Sequence, residues 1–407
     1  MLTGASTEFE LLVRCVRPEE VEADDRCETL LARDPDWERV LELSRRHGVT
    51  PLLNRGVREL ERADTVVDVP DRIRAMLTER TRSTAMRDVR LATELHELLG
   101  ALEEGGVRAL PFKGPVLEAF AYGEVGMRAY RDLDVLVPRE DLTDAVDVLE
   151  ARGYEWTDAP RLDDSPVLGG PLTIPLVPEY ELRRDRTHVE VRCGVGDAAQ
   201  PFDPDVKTLW DRREAVTVAG SDVPALAPMD RLRMLAFHGT KHKWHLLKWT
   251  CDFAAALAAT DPDWQRVIEE ARRRDSDRRL LIAVALVDRL FGTISPEPLR
   301  ERVASDPRAD RLAAAAVEEL CSETAGRPER SDLLAYTTRA TDSLGDAVRT
   351  VLFHSRLHPG LAEYRLLPLP GRLHPMYYLL LPLRHLVERH GVGTASSDVS
   401  ARFRDRL

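Results

Sequence analysis

The chain has 407 residues, more than one ordinary hydrophobic core requires, so two or three domains are expected. Its 43% hydrophobic and 31% charged residues are typical of a globular protein, and the formal net charge of −12 argues against a surface that binds nucleic acid non-specifically. Lysine is scarce and occurs only at positions 113, 207, 241, 243 and 248. The position of each lysine is therefore more informative than usual.

Cysteine usage and the lack of targeting segments predict a cytoplasmic protein. The five cysteines are scattered without a CxxC pair, which suits a reducing compartment and not a disulfide framework. The N-terminus lacks the basic and apolar regions of a signal peptide. The apolar stretch YYLLLPL at 377–383 is too short for a membrane span.

The first quarter of the chain is predicted to be helical. Segment 34–48 starts with aspartate, repeats apolar residues every three or four positions and ends in glycine. Segment 68–106 continues the helical period up to two adjacent glycines. We expect residues 1–105 to form a helical N-terminal region.

The middle of the chain, residues 106–200, alternates between strand and helix signals. Strands are predicted at 107–112 and 133–137, helices at 115–122 and 139–154, an irregular Pro-rich insertion at 158–178, and a hairpin at 180–193. This alternation predicts a small α/β unit.

The remainder, residues 201–407, is predicted to be a helical C-terminal domain. The helical pattern runs from 228 to about 350, followed by a Pro-rich connection at 358–375 and a last helix near 378–390. The terminal segment 374–391 has two interpretations, a membrane-surface or partner helix and a helix that packs back on the domain. The second interpretation is favoured.

Two aspartates at the start of a predicted buried strand, in RDLDVLV (131–137), are the first candidate site. Asp132 and Asp134 project to the same face because strand side chains alternate. Adjacent carboxylates repel each other, and Mg²⁺ prefers one or two carboxylates together with phosphate oxygens. The pattern therefore indicates either a metal–phosphate site or a solvated strand end.

Two neighbouring segments favour the metal–phosphate interpretation. Lys113 and Gly114 open a predicted helix, where free backbone N–H groups favour an anion. In HVEVR (188–192), alternation places Glu190 on one face of a strand. If this strand lies beside RDLDVLV, Glu190 becomes a third carboxylate in the layout of two-metal nucleotidyl transfer.

These segments together resemble a known family. The run from LPFKGPVLEAFAYGEVGMRAYRDLDVLV to HVEVR, with HGTKHKWHLLKWTCD behind it, resembles the uncharacterised nucleotidyltransferases of the DNA polymerase β-like superfamily. The resemblance covers roughly residues 30–260, and the positions that match the family pattern are Lys113, Gly114, Arg128, Asp132, Asp134 and Glu190. The chain departs from the family at Arg192–Cys193, where His-Trp is common, and from the wider superfamily in having Lys-Gly in place of Gly-Ser.

The resemblance implies a mixed α+β fold with a small polymerase-β-like α/β core flanked by helical N- and C-terminal domains. It also implies that Asp132, Asp134 and Glu190 hold Mg²⁺ (or Mn²⁺) against a nucleoside triphosphate, with Glu190 as ligand or base. Gly114 would allow the backbone to approach the phosphates, and Lys113 or Arg128 would neutralise their charge.

The segment HGTKHKWHLLKWTCD (238–252) is the second unusual stretch. On one continuous helix, His238, His242 and His245 would share a face. Three interpretations stay open: lining of the nucleotide or acceptor cleft, with Lys241, His242 and Lys248 near phosphate; plain helix packing; and a zinc site. HxxxH lacks the glutamate of a zinc protease.

The sequence therefore predicts a Mg²⁺-dependent nucleotidyltransferase that moves an NMP group from an NTP to a hydroxyl and releases pyrophosphate. The acceptor is expected to be a small molecule or a protein, and long nucleic acid is the least favoured because of the negative charge. The alternatives are a non-catalytic nucleotide-binding regulatory or antitoxin-like protein and, less favoured, a zinc-dependent hydrolase that uses the 238–252 helix.

Overall fold

The computed structural model describes most of the chain. The described residues are 4–18, 25–62, 68–157, 179–196, 202, 204–274, 276–322, 328–354, 369, 373 and 376–379. The predicted insertion at 158–178 and most of the segments at 358–375 and 378–390 lie outside these residues.

Among the described residues, five helices precede the sheet, in the region that the sequence predicts to be helical. They are α1 (Thr7–Cys15), α2 (Asp25–Leu31), α3 (Trp37–Arg46), α4 (Thr50–Arg62) and the long α5 (Asp71–Glu104). Local chemistry explains the start of α3, where the Asp36 carboxylate accepts hydrogen bonds from the N–H groups of Glu38 (3.0 Å) and Arg39 (3.2 Å).

A five-stranded mixed sheet follows. Its strands are β1 (Leu110–Pro111), β2 (Asp132–Leu136), β3 (Glu155–Trp156), β4 (Glu179–Arg184) and β5 (Thr187–Arg192). Helix α6 (Gly114–Tyr122) lies between β1 and β2, and a short 3₁₀ turn at Arg139–Asp141 and helix α7 (Leu142–Ala151) lie between β2 and β3. The strand order is β1-β2-β5-β4-β3, and of the pairings between described residues only that of β2 with β5 is parallel. The predicted hairpin at 180–193 is confirmed as β4 and β5.

The C-terminal part is mostly helical. It contains α8 (Val206–Asp211), α9 (Pro228–Lys241), α10 (Leu247–Ala258), α11 (Trp264–Arg273), α12 (Asp277–Phe291), α13 (Glu297–Ala304), α14 (Pro307–Cys321), α15 (Arg330–Arg339) and α16 (Leu344–His354). Between α8 and α9, a hairpin of β6 (Glu214–Val218) and β7 (Ser221–Ala225) departs from the all-helical prediction. Its turn uses left-handed backbone at Ala219 and Gly220.

The prediction of one continuous helix over 238–252 is wrong. Helix α9 ends at Lys241, and Lys243 and Trp244 both adopt left-handed backbone with φ of 54°. The Trp244 N–H donates to the Gly239 carbonyl at 2.8 Å, and a Cβ at Gly239 would lie 2.5 Å from the Trp244 ring. Glycine at 239 therefore allows the buried indole to pack against the end of α9, and this turn separates α9 from α10.

Two hydrophobic clusters organise the molecule. One contains side chains of both the N-terminal and the C-terminal helices, such as Leu11, Leu53, Phe253 and Leu281. The other joins the second half of α5 to the five-stranded sheet and α7. The predicted fold class, a small α/β core flanked by helical regions, is confirmed. The division at residues 105/106 and 200/201 stays a prediction.

Within the described residues, no helix is both long enough and apolar enough to cross a membrane.

Candidate active site

The parallel pairing of β2 and β5 places the predicted carboxylates on neighbouring strands. In the register of this pair, Asp132 lies opposite His188 and Asp134 lies opposite Glu190. On β5 the residues at 187, 189 and 191 are buried, whereas His188, Glu190 and Arg192 are half-buried, as the alternation predicts. Asp134 is only 5% exposed. The register thus makes Glu190 the cross-strand neighbour of Asp134.

Lys113 forms an ion pair with Asp134. Its Nζ donates to Asp134 Oδ1 at 3.0 Å. Burial would raise the pKa of Asp134, but the charges of Lys113 and Arg192 hold that pKa below its ordinary value. Burial and the neighbouring charge of Asp134 raise the pKa of Asp132. The lysine therefore neutralises one of two mutually repelling carboxylates.

The turn that carries Lys113 depends on Gly114. Gly114 has a φ of 56°, and a Cβ there would lie 3.4 Å from the backbone oxygen of Asp132. Glycine thus permits the left-handed backbone with which α6 begins next to the strand of the aspartates. The free N–H groups at this helix start are suited to an anion such as phosphate.

Arg128 is buried and bound to the C-terminal part of the chain. Its Nε donates to Asp252 Oδ2 on α10 at 2.9 Å, and the Tyr122 hydroxyl donates to the other oxygen of Asp252 at 3.0 Å. The Arg128 charge also lowers the pKa of Asp132 and of Asp134. A direct contact between Arg128 and phosphate stays a prediction.

Glu118 organises the loop that holds Arg128. This buried carboxylate accepts hydrogen bonds from the N–H groups of Gly126 (3.0 Å) and Arg128 (2.9 Å) and from the Tyr130 hydroxyl (3.1 Å). The loop from α6 to β2 is therefore arranged around one acidic side chain. The sequence signal for it is a lone carboxylate in the apolar helix PVLEAFAY.

Lys248 is positioned by the N-terminal region. Its backbone N–H donates to the His47 carbonyl at 3.2 Å, and the N–H of Leu247 donates to His47 Nδ1 at 3.3 Å. Burial lowers the pKa of Lys248 to about 8, helped by the positive charges of Arg128 and Lys113 and opposed by the two aspartates, Asp252 and Asp132.

Three of the five lysines lie near enough to His238 for their charges to lower its pKa. Burial lowers the pKa of His238 well below its ordinary value, and the charges of Lys113, His242, Lys241 and Lys248 lower it further. Lys113 and Lys248 also act on Asp132. Lys113 and Lys248 therefore lie within electrostatic reach of the two aspartates, and the binding of a polyphosphate by these lysines stays a prediction.

The three histidines of the 238–245 segment pack around Trp249. The His242 ring stacks on Trp249 with centroids 5.0 Å apart, and His238 and His245 meet the same indole edge-on at 5.5 and 4.8 Å. The three histidines thus pack against one buried indole, and lining of the nucleotide or acceptor cleft by this segment stays a prediction.

A divalent cation such as Mg²⁺ requires hard oxygen ligands. Asp132 and Asp134 are hard oxygen donors on one strand, and the Lys113 ammonium already occupies a cation position beside them. Glu190 lies 3.3 Å from Arg192 Nε. Among the described residues, no three His, Cys, Asp or Glu side chains are gathered to hold a metal ion. Two carboxylates on one strand are the donor type that Mg²⁺ takes together with phosphate oxygens. Binding of Mg²⁺ here and Glu190 as its third ligand stay predictions.

The structure brings Lys113, Gly114, Asp132, Asp134 and Lys248 together, with Glu190 on the adjacent strand. Lys241 and His242 belong to the same region, because their charges act on His238 together with those of Lys113 and Lys248. Sequence reasoning missed the supporting residues Glu118 and Tyr122 and the partner role of Asp252. Their partners are distant in sequence, and only Glu118 has a local signal.

A mixed sheet that presents two aspartates beside a Lys-Gly helix start, between helical regions, defines a nucleotidyltransferase core. The chain belongs to the family of uncharacterised nucleotidyltransferases, whose model matches residues 33–292. This confirms the resemblance inferred from the motifs.

Two solved structures show limited similarity. The antibiotic-resistance factor ANT(2'')-Ia is 14% identical and has a TM-score of 0.33, over 46% of this chain and 92% of that one. An antigenic nucleotidyltransferase-like protein from Paracoccidioides brasiliensis is 14% identical and has a TM-score of 0.27, over 55% and 97% of the two chains. No curated protein matches the chain.

Proposed function

We propose that this chain transfers a nucleotidyl group from a nucleoside triphosphate to a hydroxyl group of an acceptor and releases pyrophosphate. Membership of the family supports a role in nucleotidyl transfer. The observation that carries the finer proposal is the convergence of Lys113 and Lys248 on the strand of Asp132 and Asp134.

The residues of the site have separate roles in binding the triphosphate. The N–H groups at the start of α6, next to Gly114, bind a phosphate oxygen. Lys113, Lys241 and Lys248 neutralise the charge that develops on the phosphates as the bond to pyrophosphate breaks. The indole of Trp249 and the histidines around it form the adjoining aromatic wall.

The reaction is an in-line displacement. The acceptor oxygen forms a bond to the α-phosphorus while the bond between that phosphorus and the pyrophosphate oxygen breaks, and the acceptor proton passes to Glu190. Mg²⁺ or Mn²⁺, held by Asp132 and Asp134 with Glu190, would neutralise phosphate charge when bound. The protein contributes mainly positioning and electrostatic stabilisation.

The first experiment is calorimetric titration of ATP, GTP, CTP and UTP with Mg²⁺ on the parent, on Asp134→Asn and on Asp144→Asn. Asp144 is an exposed carboxylate on α7 and serves as the matched control. We expect at least one nucleotide to bind the parent and the control, with at least tenfold weaker binding to Asp134→Asn. Equal binding to all three proteins, or no binding to the folded parent, would contradict the proposal.

Pyrophosphate release separates transfer from nucleotide binding without turnover, as in a regulatory or antitoxin-like protein. Release in the presence of pooled small-molecule or protein hydroxyl acceptors identifies an enzyme, and tight nucleotide binding without release identifies a binding protein. The net charge of −12 makes long nucleic acid the least favoured acceptor. We propose a cytoplasmic location, which the five free thiols support.

A further inference from the structure

The ammonium group of Lys113 is held directly at one of the two aspartates of β2. Its Nζ lies 3.0 Å from Asp134 Oδ1, and the two side chains are 14% and 5% exposed. The same nitrogen lies 5.0 Å from the centre of the Phe112 ring, which adds a cation–π contact. Because little water screens this pair, its charges interact more strongly than those of a pair on the surface.

The backbone fixes this lysine between the strand of the aspartates and the next helix. The N–H of Phe112 donates to the Asp134 carbonyl at 3.3 Å, and Lys113 is the residue directly before α6. Its side chain is a flexible alkyl stem, so the ammonium can move while the backbone stays in place. A rotation of that stem carries the ammonium from Asp134 towards an anion at the start of α6.

The other carboxylates of the site also have positive charges of the chain near them. Glu190 lies 3.3 Å from Arg192 Nε, and the charge of Lys248 acts on Asp132. Each of the three carboxylates on β2 and β5 therefore has a cation of the protein near it. A divalent cation that arrives alone gains little from carboxylates that are already balanced, and the neighbouring cations repel it.

A triphosphate changes this balance. It brings several negative charges, and its oxygens offer the Lys113 ammonium a partner other than Asp134. The freed carboxylate and the phosphate oxygens together form the kind of ligand set that Mg²⁺ prefers. Each of the two ligands therefore increases the affinity of the site for the other, and such a coupling is reciprocal.

We infer that Lys113 keeps a free divalent cation off Asp134 in the nucleotide-free protein, so that the site accepts the cation only together with a triphosphate. When both bind, the ammonium leaves Asp134 and binds a phosphate oxygen. Lys113 thereby determines the form of the ligand, which is the chelated triphosphate. The inference rests on the proposed function for the identity of that ligand, and the exclusion of the free cation rests on the ion pair alone.

The test is titration of the full chain with Mn²⁺ in the absence of nucleotide, followed by the electron paramagnetic resonance signal of the free ion. Mn²⁺ takes the same oxygen ligands as Mg²⁺. The variants are Lys113→Met and Lys113→Gln, which remove the ammonium and keep an unbranched side chain. The control is Lys207→Met, which changes an exposed lysine on α8 and alters the net charge equally. A double variant, Lys113→Met with Asp134→Asn, locates the bound ion.

We expect the parent and Lys207→Met not to saturate with Mn²⁺ below about 1 mM. Lys113→Met and Lys113→Gln should each bind one Mn²⁺ at least tenfold more tightly than the parent, and the double variant should lose this gain. Saturable binding of Mn²⁺ to the nucleotide-free parent below about 1 mM would overturn the inference, whether or not the variants fold. Equal affinities of the parent and the folded lysine variants would also overturn it.

Nucleotide titrations on the same proteins separate this inference from the proposed function. The parent should bind a nucleotide at least tenfold more tightly with Mn²⁺ than with a chelator of divalent cations. A parent that binds nucleotide with Mn²⁺, while the lysine variants gain no affinity for Mn²⁺ alone, contradicts only the inference. A folded parent that binds no nucleotide contradicts the proposed function and, with it, the role of the triphosphate in this inference.

Discussion

The buried ion pair between Arg128 and Asp252 should be a major contributor to the stability of the contact between α10 and the loop before β2. The two side chains are 8% and 1% exposed, and their atoms lie 2.9 Å apart. Replacing Asp252 by asparagine leaves the buried Arg128 charge without its ion-pair partner. Removing one partner of a buried pair typically costs about 3–5 kcal/mol. We expect the lower end, because the amide oxygen still accepts one hydrogen bond.

The assay is equilibrium urea unfolding of the parent and the variant, followed by tryptophan fluorescence and circular dichroism. The control is Asp310→Asn, whose carboxylate lies 2.7 Å from Arg289 with both side chains at least 40% exposed. Such an exposed pair should contribute less than about 1 kcal/mol. The variants therefore differ in burial and not in the type of pair.

A double variant provides a second test of the same reasoning. Asp252→Asn combined with Arg128→Met removes the orphan charge, so it should be more stable than Asp252→Asn alone. Similar losses in Asp252→Asn and Asp310→Asn, or a double variant less stable than the single one, would refute the argument from burial.

Three further predictions concern the site and the buried carboxyl group of Asp88 on α5. Lys248→Met should weaken NTP binding at least tenfold, as measured by calorimetry. The control Lys207→Met changes an exposed lysine and should leave the affinity unchanged. Equal affinities of the two variants would contradict the role of Lys248. Trp249→Ala should lower the free energy of unfolding by about 3 kcal/mol, because the indole packs against three histidines. A loss below about 1 kcal/mol in urea unfolding would contradict the importance of this packing. Asp88 has a raised pKa of about 7 when folded, against an ordinary value of about 4, so its stabilising contribution is present at low pH and is lost as the pH rises through 7. Asp88→Asn should therefore gain stability relative to the parent from pH 5 to pH 8 in thermal unfolding, and a constant difference would contradict the shift.

Local patterns predicted the elements that carry the site. Alternation in HVEVR identified β5 and the face of Glu190, because one side of that strand is buried. The Lys-Gly step marked the start of α6, because the backbone at 114 has a φ of 56°, which glycine adopts without strain. These signals depend on neighbours in the sequence, so they can be recognised without the structure.

Other features depend on distant contacts that periodicity does not reveal. The helical period continues through 238–252, so the sequence pattern does not show the turn at Trp244. This turn forms because the indole of Trp244 packs against Gly239 in the interior. The pairing of Arg128 with Asp252 joins residues 124 positions apart. Whether Arg128 binds phosphate or a carboxylate was therefore not predictable from its place in the motif.

The shared core of the N- and C-terminal helices has a consequence for synthesis on the ribosome. The Cys251 thiol contacts the Val16 carbonyl across 235 positions, and Arg46 donates to the carbonyl of Ser322. At about 5–20 residues per second, the first helices wait roughly 10–50 s for these partners. During that interval their apolar faces are exposed to solvent or to a chaperone. A translation product that stops before α10 is complete should therefore aggregate and not fold as a smaller version of the protein.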